Sequence, residues 1–221
     1  LGAALLVGTA AADPLYSLTN LGTLDGSVTV ATGINSVGQV TGYSSDVSGN
    51  SEAFLYSGGA ISQLGPTTCC SEGLGINDLG QVVGTMTLGG GQLGTTGPSV
   101  TFQAVTFSGS SATVIHPPGS FQNAAAVGIS NTGAIAVTTF SGAVDQAVSY
   151  IDNAGTFTNI GSIGGPLASF ATAINSVGLV VGYSGTGSVI SDFRHGFIYE
   201  GGTITDLGNL GERAATVWRS A

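Results

Sequence analysis

One short phrase recurs four times along the chain: Ile34-Asn35-Ser36-Val37-Gly38, Ile76-Asn77-Asp78-Leu79-Gly80, Ile129-Ser130-Asn131-Thr132-Gly133 and Ile174-Asn175-Ser176-Val177-Gly178. A fixed phrase at a period of about 45 residues marks a repeat architecture, in which one supersecondary unit is copied and stacked. Its chemistry is that of a tight turn. The Asn (Ser130 in the third copy) opens a type I turn and bonds its own backbone, and the Gly that closes the turn accepts positive φ. Asn35, Gly38, Asn77, Gly80, Ser130, Gly133, Asn175 and Gly178 are therefore read as structural turn residues and not as a site.

Apolar runs on both sides make each phrase the first hairpin of a unit. The second strand follows it, as in Gln39-Val40-Thr41-Gly42-Tyr43 and Leu179-Val180-Val181-Gly182-Tyr183. A third strand comes after a loop: Ala53-Phe54-Leu55-Tyr56, Ala104-Val105-Thr106-Phe107, Ala147-Val148-Ser149-Tyr150 and Gly196-Phe197-Ile198-Tyr199. A Gly-rich turn such as Ser57-Gly58-Gly59-Ala60 then leads to a fourth strand ending in an apolar-Gly pair (Leu64-Gly65, Ile160-Gly161, Leu207-Gly208), with Val114-Ile115-His116 in the second unit. Short β-branched and aromatic strands bounded by Gly, with no capped helical periodicity, predict an all-β fold. The predicted architecture is a β-propeller-like array of about four four-stranded antiparallel repeats in an incomplete ring, with a β-solenoid as the alternative. The units run over about 28–71, 72–123, 124–170 and 171–211 within one domain, 13–211, and an extra fourth-strand element lies at 15–24. That surplus element, with a divergent tail at 212–221, leads us to expect a chain cut from a longer array.

Composition narrows the partners. The 221 residues include three Arg (Arg194, Arg213, Arg219) and no Lys against 12 acids, a net charge of −9. Such a chain lacks the clustered cations that nucleic acid binding requires, and anionic membrane surfaces are disfavoured for the same reason. Gly is abundant at 38 residues, but charged residues are only 7%, so these glycines serve turns between buried strands and not disorder. Residues 1–12 are small and apolar and end in Ala10-Ala11-Ala12, the pattern of a remnant secretory signal. A secreted or cell-surface location, no transmembrane segment and a monomeric state are expected. Cys69 and Cys70 are adjacent, too close for an ordinary bridge, and suggest a free or partner-linked pair in a loop.

Strings such as Leu21-Gly22-Thr23-Leu24-Asp25-Gly26, Ile34-Asn35-Ser36-Val37-Gly38-Gln39-Val40 and Glu52-Ala53-Phe54-Leu55-Tyr56 resemble the bacterial extracellular repeats of the HAF family. The resemblance covers about residues 15–211. That family is named for a His-Ala-Phe triplet, which here reads Glu52-Ala53-Phe54, Gln103-Ala104-Val105, Gln146-Ala147-Val148 and His195-Gly196-Phe197. The resemblance implies a secreted or surface protein of undefined activity, and it brings no catalytic residues.

In an up-and-down four-stranded unit the Ile-Asn and Gly-Gly turns share one regular face. The opposite face carries loops that vary in length, around 44–51, 86–102, 139–145 and 184–194, and an extracellular ligand, glycan or protein, is expected there. Chemistry-bearing patterns are sparse. Gly89-Gly90-Gly91-Gln92-Leu93-Gly94 matches a dinucleotide fingerprint only in form, since no helix pattern follows. His116 and His195 are far apart in sequence, and a triad through His195 and Asp192 has little support. Glu52, Glu72, Asp46 and Asp192 would serve the alternative of a glycan hydrolase on the variable face. Asp152-Asn153-Ala154-Gly155 reads as a hairpin turn and not as a calcium loop. The recurring aromatics Phe54, Tyr56, Phe107, Tyr150, Phe197 and Tyr199 read as packing between units. No catalytic, metal or cofactor site is assigned. The expected function is that of an exported, non-enzymatic scaffold or binding module, with a purely structural envelope protein as a further alternative.

Overall fold

A computed structural model describes residues 17–67, 70–88, 101–119, 123–140, 147–164, 168–185 and 194–208. The apolar segment at 1–12, expected to be a signal remnant, the tail at 212–221, Cys69, the glycine run at 89–94 and Asp192 lie outside the described residues. So do the middles of most variable loops.

The described chain is all-β. Sixteen strands form four four-stranded antiparallel sheets, each a simple meander of consecutive strands. The first sheet holds β1 (Thr29–Ile34), β2 (Val40–Ser45), β3 (Ser51–Ser57) and β4 (Ala60–Gln63). The second holds β5 (Ser71–Ile76), β6 (Val82–Leu88), β7 (Thr101–Ser108) and β8 (Ser111–Val114). The third comprises β9 (Asn123–Ile129), β10 (Ile135–Phe140), β11 (Ala147–Asn153) and β12 (Thr156–Asn159), and the fourth β13 (Ser169–Ile174), β14 (Val180–Gly185), β15 (Arg194–Glu200) and β16 (Thr203–Gly208). Pairing stays within each unit, whereas a β-solenoid would run parallel ladders from one repeat to the next. Among the described residues no helix is long and apolar enough to cross a membrane.

Each first strand carries a bulge at the same place, at Thr32, Leu74, Val127 and Thr172, where the register to the second strand shifts. A bulge bends and twists its strand, so all four units begin with one shape. Register also corrects one expectation. In the third unit Tyr150 faces Val137, as Phe54 faces Gly42 in the first, so the counterpart of the Glu52-Ala53-Phe54 triplet is Val148-Ser149-Tyr150 and not Gln146-Ala147-Val148. A slip of two residues keeps every side chain on its own face, so alternation cannot reveal it.

The core lies between sheets. One face of the first sheet (Ala53, Leu64) packs on Val82, Met86, Val105 and Phe107 of the second. Val83, Ala104 and Ile115 of the second pack on Ile135 and Val137 of the third, and Ala136 and Ile151 of the third on Val180, Phe197 and Tyr199 of the fourth. The first strand of each sheet does most of the docking: β5 lies on β1–β3, β9 on β5–β7 and β13 on β9–β11. First strands therefore form the inner seam and fourth strands the outer rim. Among the described residues, the fourth sheet has no comparable packing on the first, and the array is open.

Glycine sets the closeness of the seam. A Cβ on Gly75 would stand 2.6 Å from Cα of Gly128 in the next sheet. Gly75→Ala is expected to cost about 1–3 kcal/mol or more through overpacking. Gly49→Ala, at a positive-φ loop glycine with open space around it, should cost about 1 kcal/mol. Chemical denaturation of the two variants measures the difference.

Candidate functional site

The four phrases form tight turns. Gly38, Gly80, Gly133 and Gly178 have φ of 80°, 76°, 85° and 97°, and each donates its N–H to the carbonyl of the residue that opens its turn. Asn35 Oδ1 accepts from Gln39 N–H at 2.8 Å, and Asn77 Oδ1 from Leu79 and Gln81 at 3.1 and 3.0 Å. Asn175 Oδ1 binds Val177 and Leu179 in the same way, and Ser130 Oγ accepts from Ala134.

The amide nitrogen of these Asn residues has a second role that the sequence does not announce. Asn35 Nδ2 donates to the carbonyl of Asn77 at 3.0 Å, and Asn77 Nδ2 to that of Ser130 at 2.9 Å. Beside them Ser36 N–H reaches Asp78 Oδ1 (2.8 Å), Asp78 N–H reaches Asn131 Oδ1 (2.9 Å), and Asn131 N–H reaches the Ser176 carbonyl (3.0 Å). Asn131 Nδ2 closes on Asp78 Oδ2 at 2.7 Å. With Ser36, Asn131 holds the Asp78 carboxyl below the usual carboxylate range. A continuous polar ladder thus links all four turns, and Asn35, Asn77 and Ser130 are buried within it.

The first position of the third-strand triplet also has a structural assignment. His195 Nδ1 lies 3.0 and 2.9 Å from the two carboxylate oxygens of Asp206 on β16, and Asp206 also accepts from Gly208 N–H. In the first unit the same two strand positions hold Glu52 and Gln63, with Gln63 Nε2 donating to Glu52 at 2.9 Å. In the first and fourth units the triplet residue thus ties the third strand to the fourth, just before the apolar-Gly pair. Bonding to His195 keeps the Asp206 carboxyl low. Burial pushes Glu52 up to about 7, against the opposing effect of Gln63, and pushes Glu72 up as well.

The acids considered for hydrolysis do not converge. Glu52 is 6% exposed behind its bond to Gln63. Asp46 is tied into its own loop by Ser48 and Asn50, and Glu72 sits on a different sheet. His116 is exposed at the end of β8, and Cys70 is a buried free thiol, its Sγ 3.9 Å from Asn50 Oδ1. Of the recurring aromatics, Phe54, Phe107, Tyr150, Phe197 and Tyr199 are buried, and Tyr56 is half-buried. Among the described residues no three His, Cys, Asp or Glu side chains cluster as metal ligands.

Open space lies elsewhere. A cleft of about 710 Å³ separates the second and third sheets, between Thr106 and β8 on one side and the Thr132, Asn153 and Phe157 region on the other. A second, of about 490 Å³, lies beside it between the first three units, and both reach the regular-turn face. On the variable face described residues line two smaller hollows, of about 230 and 150 Å³. Within its own unit each cleft position follows the repeat, Thr113 standing where the other units have Ser62, Thr158 and Thr205. Thr106, Thr113, Asn153 and Phe157 become neighbours only when two sheets pack, so sequence spacing held no sign of their meeting.

Asn77→Ala removes four bonds from a buried residue and should cost about 2–3 kcal/mol. Asn175→Ala removes only bonds inside an exposed turn, and should cost about 0.5–1 kcal/mol. Equal losses in denaturant titrations would show that the crossing bonds contribute nothing. Glu52 gives a pH signature. Between the ordinary glutamate range and pH 7 the unfolded chain ionises before the folded one, so the fold loses stability as pH rises. Glu52→Gln should thus gain about 1–3 kcal/mol over the parent at pH 8 and little at pH 4, read from urea midpoints at both values.

No protein-family model matches the chain, and no curated protein is similar to it.

Proposed function

We propose that this protein is an exported, non-catalytic binding module on a propeller-like repeat scaffold of the HAF type, and that its ligand is a neutral glycan. The observation that carries the reading is the cleft between the second and third sheets. Its walls hold Thr106, Thr113, Thr132, Asn153, Asp152 and His116, hydroxyl, amide and ring groups that exchange hydrogen bonds with sugar hydroxyls, around the half-buried ring of Phe157. An apolar surface edged by a few convergent polar groups is the usual form of a small-ligand site. The net charge of −9 favours an uncharged polymer over an anionic one. Absence of turnover is proposed because Glu52, the acid with the most raised pKa, is enclosed and engaged by Gln63.

Titration calorimetry against a panel of neutral polysaccharides, with product analysis on the same samples, tests this. Binding without product is expected. Thr113→Arg, which places a long side chain in the cleft from an exposed position, and Phe157→Ala should each weaken binding about tenfold or more, about 1.4 kcal/mol. Unchanged affinity in both folded variants would remove the cleft from the proposal. Released sugar that disappears in Glu52→Gln would replace the module with a hydrolase.

A further inference from the structure

We propose that the cleft continues over the turn end of the second sheet into a second sugar subsite, and that its ligand is a linear neutral oligosaccharide held across several rings. This rests on the glycan reading of the cleft. The hollow of about 490 Å³ shares the wall of Thr106, Gly133 and Ile135 with the cleft and reaches Leu55 and Leu64 on the first sheet. Together the two spaces run from the first sheet to the third. Stacked sheets stand about 10 Å apart, so the run is about 20 Å, longer than one sugar ring.

The second hollow has a hydrogen-bond donor that the first unit uses up internally. In the first two units the residue after the turn glycine is Gln, and the backbone sets the orientation of its amide. The N–H groups of Leu79 and Gln81 bond Asn77 Oδ1, which makes Nδ2 the other end of the Asn77 amide. That Nδ2 donates to Gln81 at 2.8 Å, so the atom it bonds is Oε1 and the opposite end of the Gln81 amide is a donor. Gln39 is set in the same way by Asn35. The two then differ. Gln39 Nε2 donates to Ser57 Oγ at 3.1 Å, and a Cβ on Gly80 of the next unit would stand 3.0 Å from Gln39 Oε1. Ser108 occupies the position of Ser57 in the second unit, yet Gln81 Nε2 has no partner among the described residues. A Cβ on Gly133 would meet nothing within 4 Å. Gln81 therefore does not cover Gly133 as Gln39 covers Gly80, and the space stays open where Gly133 borders both hollows.

The surroundings of this donor suit an uncharged amphipathic chain. Ser108 and Thr106 add hydroxyls beside Gln81, above an apolar floor that includes Leu64 and Phe107. Amide and hydroxyl groups exchange hydrogen bonds with sugar hydroxyls, and apolar surface receives the C–H faces of the rings. None of the described residues lining the second hollow is charged, so an ionic ligand would be desolvated there without a counter-charge.

Titration calorimetry with neutral oligosaccharides of graded length, dimer to hexamer, from the cellulose, starch, mannan and xylan series tests the inference. Affinity should rise with length, the hexamer binding about tenfold or more tighter than the dimer. Gln81→Glu keeps the acceptor that Asn77 bonds and replaces the donor, and Ser108→Trp fills the hollow from an exposed position. Each should remove most of the gain with length, and circular dichroism with thermal melting checks that the variants fold. Equal affinity of the parent for dimer and hexamer, or a length advantage that persists in either folded variant, would overturn the second subsite and leave the glycan reading standing. No binding of any oligomer or of its polysaccharide would overturn both.

Discussion

The structure depends on one bond made twice: a side-chain amide that caps its own turn with its oxygen and crosses to the next turn with its nitrogen. A buried Asn must satisfy both ends of its amide. The fold does this by bringing the neighbouring turn's carbonyl to about 3 Å. Ser130 keeps the capping role but has no amide nitrogen to send onward, and Asn131 takes over the connection to the fourth unit. The ladder therefore continues through a change of residue because the backbone spacing, set by the packed first strands, is already fixed.

That spacing comes from small residues along the inner seam and from a bulge repeated at one position in all four first strands. Hydrophobic contact between sheets then fills the wedge that opens outward from the seam, with Phe54, Phe107, Tyr150 and Phe197 among the larger rings. Where the wedge is lined by short side chains, as along Thr106 and Thr113, it stays open as the cleft. Site and scaffold thus share one geometric origin. The polar pairs His195 with Asp206 and Glu52 with Gln63 tie the fourth strand to the third within their own sheets.

Much of this was legible in the residues. The phrase located the first hairpins, the Gly-Gly pairs the third, and the spacing between them the four sheets. Placement of the third-unit triplet was not, since a two-residue slip leaves the pattern of faces unchanged. Nor was the cleft, because Thr113 and Phe157 belong to different units and come together only when the second and third sheets pack. The variable loops, expected to carry a ligand, fall largely outside the described residues, and the large clefts reach the opposite face.

By itself the sequence determined the local units: where the chain turns, which segments are strands, and that one meander is repeated. Those properties depend on residues a few positions apart, on φ preferences at Gly and on capping by Asn, and they are readable wherever such residues occur. Only the tertiary structure decided what the repeated Asn does with its second donor and which sheet faces enclose a cleft. Each of these is a relation between units about 45 residues apart. It is set by how closely two sheets approach, a distance that no spacing along the chain encodes.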